Sequence, residues 1–150
     1  MASCEVWFYH LERTALDQAL PELLEKTVAK GWRAQVRSTL KDRLDHLDTW
    51  LWTWREDSFL PHGQADAPEA ARQPILLTVA ADNLNRADAL FLIDGAEEDR
   101  FEGYQRCIDL FDGRDEAAVA AARVRWKTAR GLGLAVTYWR QGERGWEKQA

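Results

Sequence analysis

Two spacings of apolar positions alternate along the chain, short unbroken runs and runs repeating every three to four residues. The run Glu5–His10 (EVWFYH) is β-branched and aromatic, which predicts a buried strand. Leu20, Leu23, Leu24 and Val28 then recur at helical spacing within Asp17–Lys30, with Pro21 placed in the first turn and Gly31 as the stop. Arg33–Arg37 (RAQVR) reads as a second short strand. Leu40, Leu44, Leu47 and Leu51 form a stripe on a helix that Thr39 is placed to cap and that runs to about Leu51.

The stretch Glu56–Pro74 holds three of the four prolines and reads as a long surface loop. Its length exceeds the usual connection, as functional or mobile loops often do. Ile75–Ala80 (ILLTVA) and Ala89–Ile93 (ALFLI) are unbroken apolar runs, as central strands buried on both faces require. Two helices are expected next, over about Asp99–Phe111 and Asp115–Arg130, separated by Gly113. Gly131 and Gly133 end the second, and Leu134–Trp139 (LAVTYW) is a last strand. Strands alternating with crossover-length helices predict an α/β, Rossmann-like three-layer fold. Its central sheet is mostly parallel, with helices on both faces.

The chain length of 150 residues fits a single domain, 1–150, with one core. Cys4 and Cys107 are the only cysteines, and neither belongs to a CxxC or Cys/His cluster, so both read as free thiols of a reducing compartment. No run approaches the roughly 18 apolar residues of a membrane helix, and no signal peptide is evident; a cytoplasmic protein without a membrane partner is expected. The net charge of −5 argues against general nucleic-acid binding. That charge is uneven. From Arg114 onward eight Arg/Lys face four Asp/Glu, so this segment is +4 and the remainder −9. A basic segment on an acidic body points to a local site for an acidic partner.

Catalytic patterns are weak. The first strand-to-helix turn, His10-Leu-Glu-Arg-Thr-Ala, has no glycine, and Glu12 would repel a phosphate, so there is no nucleotide-binding loop there. No GxxxxGK[ST] or GxSxG occurs, and no cofactor is implied. Ser58 near His62 reads as a locally bonded loop serine and a surface histidine. His10, His46 and His62 are too widely spaced for a metal motif, and the acid pairs Glu97/Glu98 and Asp115/Glu116 read as first-turn helix residues.

Three features look like binding. On the helix 115–130, Ala117, Ala121, Val124 and Thr128 form a small-residue stripe suited to lying on the sheet. Val119, Arg123, Trp126, Lys127 and Arg130 form another, where cations beside an indole can hold a carboxylate and an apolar group together. Trp50, Trp52 and Trp54 cannot all face the leucine stripe, so at least one is exposed. Ser58-Phe59-Leu60-Pro61-His62 is either a plug into the core or a presented contact.

The segment HLDTWLWTWREDSFLPHG (46–63) resembles a signature of the DNA polymerase III chi subunit family, and RVRWKTARGLG (123–133) resembles the basic-aromatic helix before that family's last strand. The resemblance implies a non-catalytic accessory protein of the replicative polymerase, Rossmann-like but without nucleotide binding. It implies as partners the acidic, phenylalanine-terminated tail of single-stranded-DNA-binding protein and the psi subunit of the clamp loader, with only indirect contact to DNA. Carried over by position, Trp52, Phe111, Arg123, Trp126 and Lys127 match the tail pocket. Phe59, Leu60 and Pro61 match the psi side. Val119 stands where the family has a further lysine, and Arg130 is placed to supply that charge. Two other readings stay open: a small α/β enzyme with a site on the 56–74 loop using His62, and direct single-stranded DNA binding through the Arg123/Trp126 stripe.

Overall fold

The computed structural model describes residues 4–98 and 100–149. Its one sheet is built from β1 (Glu5–Leu11), β2 (Ala34–Arg37), β3 (Gly63–Gln64), β4 (Ile75–Thr78), β5 (Ala89–Leu92), β6 (Arg106–Asp112), β7 (Ala135–Gly142) and β8 (Gly145–Lys148). Their order across the sheet is β3-β4-β2-β5-β6-β1-β7-β8. Every neighbouring pair is parallel except β7 with β8. The helices are α1 (Leu16–Ala29), α2 (Lys41–Thr53) and α3 (Glu116–Gly131). This is the α/β, three-layer, Rossmann-like arrangement expected from the alternating pattern.

The two-residue period of the strands sorts side chains between the layers. Tyr9 and Leu11 of β1 and Ile108 and Leu110 of β6 join Leu20, Leu24, Leu44, Leu47 and Leu51 of α1 and α2 in one cluster. Val6, Phe8, Cys107 and Phe111 point the other way, against Ala122 and Ala129 of α3. Both cysteines are free and buried, and burial pushes the Cys4 thiol up to about 11 and raises that of Cys107.

Several elements depart from the expectations. The expected helix begins at Asp99, outside the described residues, and residues 100–111 are not helical: from Arg106 onward they form the strand β6, hydrogen-bonded on both sides to β1 and β5. Phe101, Tyr104, Ile108 and Phe111 happen to fall at helical spacing. A seat between two parallel strands overrides that local pattern. Gly113 therefore ends a strand, and a Cβ there would lie 2.0 Å from His10 Cδ2, so its lack of a side chain is required. Glu98 is not a first-turn residue either. It pairs with the buried Arg37 at 2.7 Å.

Thr39 does not cap α2. Its hydroxyl donates to Asp94 O at 2.8 Å, while Ser38 Oγ accepts from Leu40 N at 3.0 Å. Leu40, placed on the buried stripe by its spacing, sits at the N-cap and is 53% exposed. Pro21 lies inside α1 beyond its first turn, where it cannot donate to the carbonyl of Asp17. That carbonyl instead accepts from Trp50 Nε1 at 2.7 Å, which ties α1 to α2. The 56–74 segment is anchored rather than a plain surface loop, carrying β3, a 3₁₀ turn at Ala70–Arg72 and the buried residues Leu60, His62 and Ala70.

Candidate protein-docking site

Helix α3 carries Arg123, Arg125, Lys127 and Arg130, and its roll about its own axis is fixed by three contacts. Asp115 caps the N-terminus, accepting from Ala117 N at 3.0 Å and Ala118 N at 3.4 Å. Ala122 and Ala129 face the sheet. Arg125 forms a bidentate pair with Asp109 of β6, with Nε–Oδ2 at 2.6 Å and Nη2–Oδ1 at 3.0 Å. The sheet-facing stripe is thus not Ala117, Ala121, Val124 and Thr128. Val124 is 63% exposed, because the buried Arg125–Asp109 pair sets a roll that small-residue spacing does not reveal.

With α3 held this way, Arg123, Trp126 and Lys127 project over β1 and β7. Together with His10, Tyr138, Arg140 and Gln149 they line a hollow of about 400 Å³. Phe111 lies beneath, buried, with its ring 5.1 Å from that of His10 and 6.0 Å from that of Tyr138. His10 Nδ1 is 2.6 Å from the Tyr138 hydroxyl. Burial lowers the His10 imidazole from its ordinary value and raises the Tyr138 phenol, so at neutral pH both stand neutral beneath a rim of cations. The Arg130 guanidinium covers the Trp126 ring at 4.9 Å. Trp126 Nε1 is buried without a hydrogen-bond partner, and it borders the hollow. An open cavity with an aromatic floor and Arg123, Lys127 and Arg140 at its rim suits a ligand that combines an apolar ring with carboxylates.

Trp52 is not part of this hollow. It sits on α2, 48% exposed, with its ring 6.0 Å from that of Phe59 and 4.2 Å from that of His62. Phe59 is 75% exposed, whereas Leu60 is 2% exposed and packs in the core with α1 and α2. The SFLPH segment is therefore both a plug, through Leu60, and a presented contact, through Phe59. Trp52 and Phe59 make a second aromatic patch, and Pro61 beside them is half-buried.

The Ser58/His62 pair does not meet. Ser58 Oγ accepts from Trp54 Nε1 at 3.2 Å. His62, expected at the surface, is buried, with Nδ1 2.6 Å from Leu60 O and Nε2 2.7 Å from Asp48 O. Each ring nitrogen faces a backbone carbonyl, one of which a neutral imidazole donates to, and this seats the segment that presents Phe59. No group of three His, Cys, Asp or Glu suited to a metal occurs among the described residues.

The first strand-to-helix turn is filled from within. Gln141 Oε1 accepts from Glu12 N at 2.9 Å, Arg13 N at 2.7 Å and Thr14 N at 3.1 Å. In nucleotide-binding relatives of this layout, amides of this turn hold phosphate. Here a side-chain amide from β7 takes them. His10, Tyr138 and Arg140 escaped the sequence reading because they meet only through the β1–β7 pairing, in which His10 lies opposite Arg140. No spacing in the sequence carries that register.

Residues 4–137 match the family described as "DNA polymerase III chi subunit, HolC". A protein named "Probable DNA polymerase III subunit chi" from Rickettsia prowazekii (strain Madrid E) is 31% identical over 85 residues, 57% of this chain. That match spans 52% of the relative, about half its length. Among solved structures, the C-terminal domain of the DEAD-box protein Dbp5 superposes with a TM-score of 0.53 at 13% identity, covering 93% of this chain and 91% of that one. This last likeness is one of fold alone. No helix among the described residues is long and apolar enough to cross a membrane.

Proposed function

The chain belongs to the DNA polymerase III chi subunit family, and on that premise we propose that it is a non-catalytic adaptor of the cytoplasmic replication machinery. In this reading it links the clamp-loader assembly to single-stranded-DNA-binding protein by docking that protein's acidic, phenylalanine-terminated tail in the hollow between α3 and β7. The observation that carries the reading is the convergence of Arg123, Lys127 and Arg140 with Trp126, His10 and Tyr138 around one cavity. Arg123 and Arg140 meet the terminal carboxylate, the phenyl ring lies against Trp126 and Tyr138, and Lys127 and Arg130 meet the preceding acids.

Burying one phenylalanine contributes about 1.5–3 kcal/mol. A charge-assisted hydrogen bond adds about 1.5–3 kcal/mol. After the cost of ordering a flexible tail, an affinity on the order of micromolar follows, weakening with salt. The Trp52/Phe59 patch, remote from the hollow along the sequence and on another helix, serves the second partner, a psi-like clamp-loader subunit. Contact with DNA is indirect.

The test is fluorescence anisotropy of a labelled acidic peptide ending in phenylalanine, beside the same peptide with its C-terminus amidated. Binding of the free acid and loss with the amide supports the adaptor reading. Equal binding of both, or of neither at low salt, overturns it.

A further inference from the structure

At the edge of the docking hollow one of its lining cations, Arg140, already holds a carboxylate. Glu12 Oε1 accepts from Arg140 Nε at 2.8 Å and lies 2.6 Å from Arg140 Nη2. The same oxygen is 3.2 Å from His10 Nε2, which nevertheless lacks a hydrogen bond. Glu12 thus lies where an arriving carboxylate would find its partners. The Arg140 guanidinium beside it holds its carboxyl below the usual value, so it is ionised at neutral pH.

Its position is enforced from the backbone. Gln141, next to Arg140 on β7, takes the amides of Glu12, Arg13 and Thr14 on its Oε1 and donates from Nε2 to Thr14 Oγ1 at 2.6 Å. The turn carrying the acid and the strand carrying the arginine are therefore fastened at adjacent residues. Both side chains keep contact with water, Arg140 at 53% exposure and Glu12 at 27%. An ion pair so exposed is weak and exchanges partners readily. Arg140 has one further acid near it, Glu147, opposite it in the β7–β8 register, without a hydrogen bond between them.

We propose that Glu12 is a built-in carboxylate surrogate, which occupies Arg140 in the free protein and is displaced when a carboxylate of the docked peptide enters. This rests on the docking reading above, in which Arg140 meets the terminal carboxylate, and adds to it Glu12 as the competitor for that arginine. The exchange sets a threshold: a ligand must offer Arg140 more than Glu12 does. Peptides with a free terminal carboxylate or closely spaced acids pass it, and neutral apolar peptides gain nothing from it.

The experiment measures affinity for the phenylalanine-terminated acidic peptide in four proteins: wild type, Glu12→Gln, Arg140→Gln and the double variant. Glu12→Gln is expected to bind about two- to fivefold more tightly at low salt, a gain that shrinks as salt screens the pair. Arg140→Gln should bind more weakly, and adding Glu12→Gln to it should restore nothing. Thermal melts confirm that each variant folds, and Glu12→Ala repeats the removal independently. Equal affinity of wild type and Glu12→Gln, or the same gain in the Arg140→Gln background, overturns the surrogate while leaving docking intact. Absence of peptide binding by the wild type overturns docking and the surrogate with it.

Discussion

Replacing Arg125 with methionine keeps much of the volume of its side chain and removes its charge, which leaves Asp109 alone in the interior. Asp109 is 2% exposed, and the guanidinium it loses stands at 2.6 Å and 3.0 Å on its two oxygens. Breaking a buried pair by deleting one partner costs about 3–5 kcal/mol, because an uncompensated charge remains. The pH dependence gives the mechanism a signature. Burial already raises the Asp109 carboxyl above its ordinary 3.8, and Arg125 is the principal influence pulling it down. The folded protein thus holds this proton more tightly than the unfolded chain does, so stability falls as pH rises between the two values. Without Arg125 that window extends upward. Urea unfolding should therefore show a deficit of about 3–5 kcal/mol at about pH 8 that narrows as pH is lowered to about 5, because acid favours the neutral carboxyl that burial prefers. Pairing Arg125→Met with Asp109→Leu should recover most of the loss. A deficit below about 1 kcal/mol at the higher pH, or one of equal size at both, refutes the reasoning.

Arg123→Ala should weaken the acidic peptide about 5- to 100-fold by anisotropy without shifting the melting temperature, since it loses a charge-assisted bond at an exposed position. Gly113→Ala drives a methyl against His10 and the Leu11 carbonyl, and should cost about 1–3 kcal/mol in thermal unfolding, partly restored when His10→Ala is added. His62→Leu removes the ring donor that sits between the carbonyls of Leu60 and Asp48 and should cost about 1–3 kcal/mol in urea unfolding. Phe59→Ser, at a highly exposed site, should change stability by less than about 0.5 kcal/mol. Binding of the acidic peptide should strengthen as pH falls below the ordinary imidazole value of 6.5 toward the lowered one, because protonated His10 adds a cation beneath the hollow. The same burial that lowers His10 makes its neutral form the stabilising one. Thermal stability should accordingly decline as pH falls through its ordinary value of 6.5 toward the lowered one.

The layers were legible because the runs EVWFYH, ILLTVA and ALFLI announce strands and the leucines of α1 and α2 announce one helical face. Arg106–Phe111 departs from the helical expectation for a physical reason: the spacing there suits a helix, and only the two neighbouring strands, distant in sequence, make it β6. At the hollow, Arg123, Trp126 and Lys127 share one helix, so spacing brought them together. His10, Tyr138 and Arg140 depend on strand register, which a single sequence does not carry. Family resemblance groups Trp52 with Arg123, yet the fold puts it on α2 beside Phe59 and His62. Ser58–His62 shows the converse, since neighbours in sequence point to different partners.

The claim at the centre is that an acidic, phenylalanine-terminated tail docks between α3 and β7. The eight tryptophans supply the probe, because each indole N–H gives its own NMR signal. Titration with the peptide should shift the Trp126 indole, whose Nε1 is buried beside the hollow without a partner, and leave the Trp52 indole on α2 unmoved. A shift at Trp52 with Trp126 unchanged would contradict the account and move the tail to the Trp52/Phe59 patch.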